Sequence, residues 1–153
     1  MKSPISRNSV MNPEDMNAAF AQAYNSGDID NLLALYEPGG ILINLIGNKD
    51  EGLEPIRKTL EELLRFKGKM VSKNIYCIPF ENIALLRAHF ILETVGEDGS
   101  PLQIQGHTSE IVRKQLDESW QYIVDHPFGA DLLKETERAT PLHFNDQPNL
   151  QSR

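Results

Sequence analysis

The chain has a single cysteine, Cys77, in 153 residues. It can form no disulfide within itself and offers no cysteine pair to a structural zinc ion, which excludes a disulfide scaffold and a zinc finger and points to a reducing compartment. Basic charge is also short: 15 Lys and Arg against 22 Asp and Glu leave a net charge of −7. The basic residues are scattered, so neither nucleic acid nor an anionic membrane surface is an expected partner. No apolar run approaches the roughly 20 residues that span a bilayer, and Met1 to Val10 has no apolar core of signal-peptide length. Cytoplasmic localisation is the expectation. A Gly-rich phosphate loop, a dinucleotide fingerprint and a Gly-x-Ser-x-Gly elbow are all missing, as is any His pair or carboxylate loop with ligand spacing. No cofactor and no metal are expected.

What is present reads as one domain with an α+β layout. Residues 1–12 are polar, broken by Pro4, and are expected to be a disordered lead; residues 13–129 form the domain; residues 130–153 are a C-terminal extension and tail, with a short helix or coil to about residue 138. Asn12 as N-cap, Pro13 in the first turn and the acids Glu14 and Asp15 predict a helix start. Met16, Ala19, Phe20, Ala23 and Tyr24 continue it as an apolar stripe to a stop at Gly27. Asp28 starts a second helix carrying Ile29, Leu32, Leu33, Leu35 and Tyr36, ended by Pro38, Gly39 and Gly40. A buried strand is predicted over 40–46, interrupted by Asn44, then a loop over 47–52 and a third helix over 53–66 with Gly68 as its stop. The period then changes to two, predicting strands over 70–80, 83–95, 102–115 and 120–126, with hairpin turns at 97–100 and 116–119. Helices followed by a run of antiparallel strands indicate α+β rather than a doubly wound sheet.

Gly-Asp-Ile-Asp joining two helices (Gly27 to Asp30), Tyr36 at the end of the second, and a closing hairpin of Glu-Ile-Val-Arg-Lys and Trp-Gln-Tyr-Ile-Val-Asp-His-Pro-Phe-Gly carry a family likeness. In this order they resemble the nuclear transport factor 2-like superfamily, which includes ketosteroid isomerase and the SnoaL-like polyketide cyclases. The resemblance covers about residues 13–129. It implies a cone-shaped cystatin-like fold with an apolar pocket at its wide end and a homodimer through the outer sheet face. It does not imply one activity, because the superfamily hosts isomerases, cyclases, dehydratases and members that only bind or assemble. Against ketosteroid isomerase, the helix-one tyrosine falls on Phe20 and the base on Asn44, neither of which can do that work. The protonated carboxyl falls on Glu110, and a secondary pocket tyrosine on Tyr36. Steroid isomerisation of that kind is therefore not expected.

Strand periodicity places Thr108, Glu110 and Val112 on one face, and Gln121, Ile123 and Asp125 on one face of the next strand. Arg87, His89 and Ile91 are the corresponding set on the strand before, so Arg87, His89, Glu110 and Asp125 are expected to share one cavity. Two carboxyls beside an arginine and a histidine can act as general acid and base. Asp125 or Glu110 would be the base, the other carboxyl or His89 the acid, and Arg87 would stabilise negative charge. Phe20, Tyr24, Tyr36, Asn44, Leu60, Thr108 and Ile123 are the expected ligand-binding wall. The expected ligand is a small, mostly apolar molecule. The blander reading pairs Arg87 with Glu110 across the sheet for about 0.2 to 1 kcal/mol. The rival function is a non-catalytic assembly module whose partner contact is made by Leu86, Phe90, Trp120 and Tyr122. His107 is expected on the outer surface, His126 at the pocket rim, His143 in the tail, and Cys77 as a small buried hydrophobe.

Overall fold

Residues 9–131 are described by the computed structural model; the extension expected from residue 130 lies outside them from residue 132 on. Packing begins ahead of Asn12. Val10 bridges Trp120, whose N–H donates to the Val10 carbonyl at 2.8 Å, and Val10 is buried. The lead is thus pinned at its last apolar residues instead of loose to residue 12. Asn12 acts through its backbone, its carbonyl accepting from Asp15 N–H at 3.0 Å while its side chain makes no capping bond. A 3-10 turn at Pro13–Asp15 leads into α1 (Met16–Ser26), which stops where Gly27 takes a left-handed φ of 75°. Asp28 caps α2 (Ile29–Leu33) by accepting from Asp30 N–H at 2.9 Å.

The second helix does not run on to Pro38. It ends at Leu33, and Tyr36 opens β1 (Tyr36–Ile43), which contains Pro38, Gly39 and Gly40. These turn-forming residues make an irregularity inside a strand rather than stopping a helix. The pairing register of β1 shifts between Tyr36 and Ile41, where Pro38 has no N–H to pair. A Cβ on Gly40 would lie 3.1 Å from the Glu37 carbonyl oxygen and 3.2 Å from that of Tyr122. Asn44 then turns the chain, its side-chain oxygen accepting from Ile46 and Asn48 N–H at 3.2 and 3.0 Å. A short strand β2 (Lys49–Glu51) follows, antiparallel to β1, where the sequence predicts only loop. α3 (Leu53–Leu64) buries Ile56 and Leu60 toward the sheet. Its stop is Lys67, which takes the left-handed φ of 53°, and not Gly68. Gly68 serves close approach, since a Cβ there would overlap the Glu93 carbonyl oxygen.

The strands β3 (Lys69–Phe80), β4 (Ile83–Val95), β5 (Pro101–His107), β6 (Ser109–Lys114) and β7 (Trp120–His126) complete one curved, mostly antiparallel sheet. The order is β2-β1-β7-β6-β4-β3, with β5 also paired to β4. The single strand expected over 102–115 is two strands parted at Thr108, laid one after the other along β4. At the break Thr108 bonds Ala88 twice, its N–H donating to the carbonyl and its hydroxyl accepting from Ala88 N–H, both at 2.8 Å. β1 and β7 run parallel, which is the one exception to antiparallel pairing among the described strands.

The helices cover one face of this sheet. Leu86, Ala88 and Leu92 of β4 are fully buried there with Val112 of β6 and Tyr122 of β7, against Met16 and Tyr24 of α1 and Ile56 and Leu60 of α3. Fully burying each such aliphatic side chain contributes about 1.5 to 3 kcal/mol. No helix among the described residues is long and apolar enough to cross a membrane.

Candidate active site and ligand pocket

The register decides which polar side chains meet. Residues directly opposite in an antiparallel pair project to the same face, and Glu110 lies opposite Leu86 on β4 and opposite Asp125 on β7. Glu110 therefore shares the covered face with Leu86, not with Arg87. Asp125 joins it because β6 and β7 slip by one residue: Ile111 faces Val124 while Val112 faces Tyr122, leaving Ile123 as the extra residue of a bulge. Both Tyr122 and Asp125 point inward across that bulge.

The result is a pair of adjacent buried carboxyls, with Glu110 2% and Asp125 4% exposed. Glu110 Oε1 accepts from Asn17 Nδ2 at 3.1 Å and from the Thr108 hydroxyl at 2.8 Å. The Tyr122 hydroxyl donates to Asn17 Oδ1 at 2.6 Å, which turns the amide's N–H toward Glu110. The Tyr36 hydroxyl donates to Asp125 Oδ2 at 2.5 Å. The two tyrosine rings pack with centroids 5.1 Å apart, fixing both hydroxyls.

Burial sets the electrostatics. Loss of solvent raises Asp125 to about 6 against the bond from Tyr36, which favours the anion. Loss of solvent, and then the Asp125 charge, raises Glu110 to about 8, while the bonds from Thr108 and Asn17 pull the other way. Tyr36 and Tyr122 are pushed well above the usual phenol value by the same burial and by the carboxyls, so both remain donors. Near neutral pH the two carboxyls hold about one proton between them.

The pair closes one end of an apolar cavity. Phe20 of α1, Leu60 and Leu63 of α3, Phe90 of β4 and Phe128 after β7 make much of its wall. The space between the lining side chains, open mouth included, is about 750 Å³. Phe128 is held by an edge contact with Phe90 at 5.7 Å over Gly106, where a Cβ would collide with both rings. No Lys, Arg or His lines the cavity among the described residues. No group of three or more metal-binding side chains occurs among them either.

Several expected site residues fall elsewhere. Arg87 and His89 lie on the opposite, uncovered face: Arg87 Nη2 is 3.4 Å from His107 Nδ1, and the His89 ring stacks on His107 at 4.5 Å. The shared cavity of Arg87, His89, Glu110 and Asp125 is therefore corrected to Glu110 and Asp125 alone, and the Arg87–Glu110 pair does not form. His107 does lie on the outer face. Ile123 is the bulge residue and does not line the cavity. Tyr24 braces α1 against α3, its hydroxyl donating to the Leu63 carbonyl at 3.0 Å. Tyr36 reaches the site through Asp125, from a strand and not from a helix end. Phe20, Asn44, Leu60 and Thr108 line the cavity. Leu86, Phe90, Trp120 and Tyr122, expected on an outer contact face, are buried under the helices and β1. Two contributors escape the sequence reading. Asn17 is a polar residue inside an apolar stripe, three before Phe20, and that interruption was the available signal; Tyr122 needed the bulge to be known.

No protein-family model matches the chain, and no curated protein matches it by sequence. Solved structures do match its backbone. It is similar to a ketosteroid isomerase-like protein from Erwinia carotovora atroseptica, at 16% identity and a TM-score of 0.67, over 80% of this chain and 95% of that one. It is similar to a protein of unknown function with a cystatin-like fold from Nostoc punctiforme, at 20% identity and a TM-score of 0.62, over 73% and 84%. The S. rosetta CaMKII hub matches at 18% identity and a TM-score of 0.61, over 73% and 89%. The chain has the cystatin-like α+β fold of these proteins, the fold implied by the resemblance to the nuclear transport factor 2-like superfamily.

Proposed function

We propose that the chain binds a small, mostly apolar molecule in the cavity beneath Phe20, Leu60 and Phe90, with the molecule's polar end against Glu110 and Asp125. The observation that carries this reading is a buried pair of carboxyls opening onto an apolar cavity. Their raised values suit cofactor-free proton transfer of isomerase, cyclase or dehydratase type. Asp125, the first of the pair to ionise, is the base, and Glu110, which keeps its proton longer, is the acid. Phe20 and Asn44 lack the hydroxyl and the base of ketosteroid isomerase, so the chemistry differs from that enzyme's. Residues 13–129, extended by Val10, form the binding domain, and the single thiol fits a cytoplasmic setting.

Native mass spectrometry of the purified chain, followed by denaturation and identification of what is released, tests the reading. A stoichiometric small molecule, absent from the Glu110→Gln/Asp125→Asn variant, is the expected result. An empty parent whose thermal stability responds to no member of a small apolar compound library would reject it.

A second reading, self-association, is favoured by the uncovered sheet face. Tyr76, Ile78 and Phe80 of β3 and Leu85 of β4 share that face and are 38%, 53%, 68% and 39% exposed. Contiguous exposed apolar side chains on a sheet favour a covering partner. The S. rosetta CaMKII hub among the structural neighbours supports a second copy of the chain as that partner. The two readings use opposite faces and are compatible.

A further inference from the structure

The proposed pocket leaves the chemistry of the ligand's polar end open, and the hydrogen-bond geometry around the carboxyl pair narrows it. Glu110 takes both of its bonds on Oε1, and Asp125 takes its bond on Oδ2. Oε2 of Glu110 and Oδ1 of Asp125 receive no hydrogen bond from the described residues, although both side chains are more than nine-tenths buried and line the cavity. The neighbouring hydroxyl donors are occupied, and Asn17 spends one of its two N–H groups on Glu110. Tyr36 gives its proton to Asp125, Tyr122 to Asn17, Thr108 to Glu110, and Asn17 its amide to Glu110. Farther along the wall, Asn44 and Thr59 donate to Asp50. The Ser72 hydroxyl sits at the Phe90 level of β4, four residues from the Leu86 level that Glu110 occupies. Near neutral pH the polar end of the cavity therefore presents carboxyl oxygens that share one proton, carries negative charge, and has no cation beside it.

We infer that this end of the pocket receives a cation, the ammonium group of a primary or secondary amine on a small apolar body, held between Oε2 of Glu110 and Oδ1 of Asp125. The inference rests on the binding reading above and specifies its ligand class. Once the shared proton has left, an ammonium group supplies two N–H donors to two acceptors, and charge-assisted bonds of this kind are about twice as strong as neutral ones. A carboxylate ligand meets like charge and no donor. A neutral carbonyl or alcohol has only the shared proton of the pair to bond with.

That difference gives amines and neutral ligands different pH dependence. Seating an ammonium between the carboxyls releases the proton they share, so amine binding tightens as pH rises through the range from about 6 to about 8, up to about tenfold per unit. A carbonyl bonded to the shared proton keeps its affinity over most of that range and loses it only as pH rises through about 8. The titratable groups facing the pair are Tyr36 from β1 and Tyr122 from β7, both far from titrating there; α1 contributes Asn17, β4 contributes apolar side chains, α3 contributes Thr59 beside apolar ones, and Asp50 of β2 is one strand beyond, across Leu42, bonded by Asn44 and Thr59. His126, next in sequence to Asp125, lies opposite Ser109 and does not line the cavity.

Isothermal titration of the full chain with benzylamine, benzyl alcohol and benzoate at pH 6, 7 and 8 tests this, with buffers of different ionisation enthalpy to count released protons. Benzylamine is expected to bind at least tenfold more tightly than benzyl alcohol at pH 8, to tighten from pH 6 to 8, and to release protons into the buffer. Benzoate is expected not to bind. Loss of the amine preference in Glu110→Gln, checked for folding by the Trp120 fluorescence, would place the contact. Benzyl alcohol binding as well as benzylamine, or benzylamine weakening with pH, overturns the amine assignment and leaves the pocket standing. No binding by any of the three overturns the assignment as well, and the co-purification experiment then decides on the pocket separately.

Discussion

Replacing Glu110 by glutamine should make the chain more stable at alkaline pH, although it removes a group with two hydrogen bonds. Glu110 has an ordinary value of 4.5 and is raised to about 8 in the fold. Between those values the folded chain holds a proton that the unfolded chain has released, so stability is greatest below pH 4.5 and is lost as pH rises through about 8. Each pH unit inside that window costs about 1.4 kcal/mol, and from pH 5 to pH 8 the loss from this residue amounts to about 4 kcal/mol. Against a total stability of about 5 to 15 kcal/mol this is a large share. Asp125, raised from 3.8 to about 6, adds a further loss of the same sign at lower pH. In Glu110→Gln the new side chain is neutral throughout, and its amide oxygen can still accept from Asn17 and Thr108, so the variant should lack the slope that Glu110 imposes. Urea unfolding of parent and variant from pH 5 to 8.5 reads this directly, with the buried Trp120 as the fluorescent reporter. The stability difference, variant minus parent, should grow by about 4 kcal/mol toward pH 8. A difference that is constant with pH, or that shrinks, would refute the claim that Glu110 keeps its proton at neutral pH.

Tyr36→Phe removes the bond that holds Asp125 down, so the Asp125 midpoint should move above about 6 in a carbon-13 carboxyl titration; a fall would mean that another donor, not Tyr36, governs it. Gly68→Ala should destabilise by about 1 to 3 kcal/mol in urea, because the new Cβ meets, besides the Leu92 and Thr94 side chains, the backbone carbonyl of Glu93, which cannot turn away. Unchanged stability there would show that the α3–β3 turn has slack. Ile78→Lys together with Leu85→Lys, on the uncovered face, should lower the oligomeric state in sedimentation velocity while leaving unfolding nearly unchanged. A monomeric parent at micromolar concentration would remove the basis for self-association through this face.

Local rules carried most of the fold because the signals are local. Gly27 and Asp28 must end one helix and begin the next within two residues, and they do so with one left-handed φ and one side-chain cap. The Gly99 and Glu118 turns likewise fix two hairpins by their positive φ. Pro38-Gly39-Gly40 was legible as a place of special backbone, but not as what kind. A helix stop and a strand irregularity ask for the same residues, and only the neighbouring β7 distinguishes them. β2 was invisible because three polar, mostly exposed residues carry no alternation, and their pairing is imposed by the Asn44 turn.

The site was legible in part for a different reason. Period two groups Thr108 with Glu110, and both are buried and line one cavity. It says nothing about which face of the next strand meets them, and on β4 the polar set was grouped with them as the polar end of an otherwise apolar pocket. Packing reverses that choice: Leu86, Ala88 and Leu92 have to be covered, the helices cover them, and Arg87 and His89 are left on the other side. On β7 the same rule fails through the bulge at Ile123, which lets Tyr122 and Asp125 share a face three residues apart. Removing Arg87 from the cavity changes the chemistry more than any other correction. A cation beside Glu110 would have held it ionised and ready as a base, whereas burial against Asp125 without a cation keeps it protonated, which is why the proposed function gives the base role to Asp125.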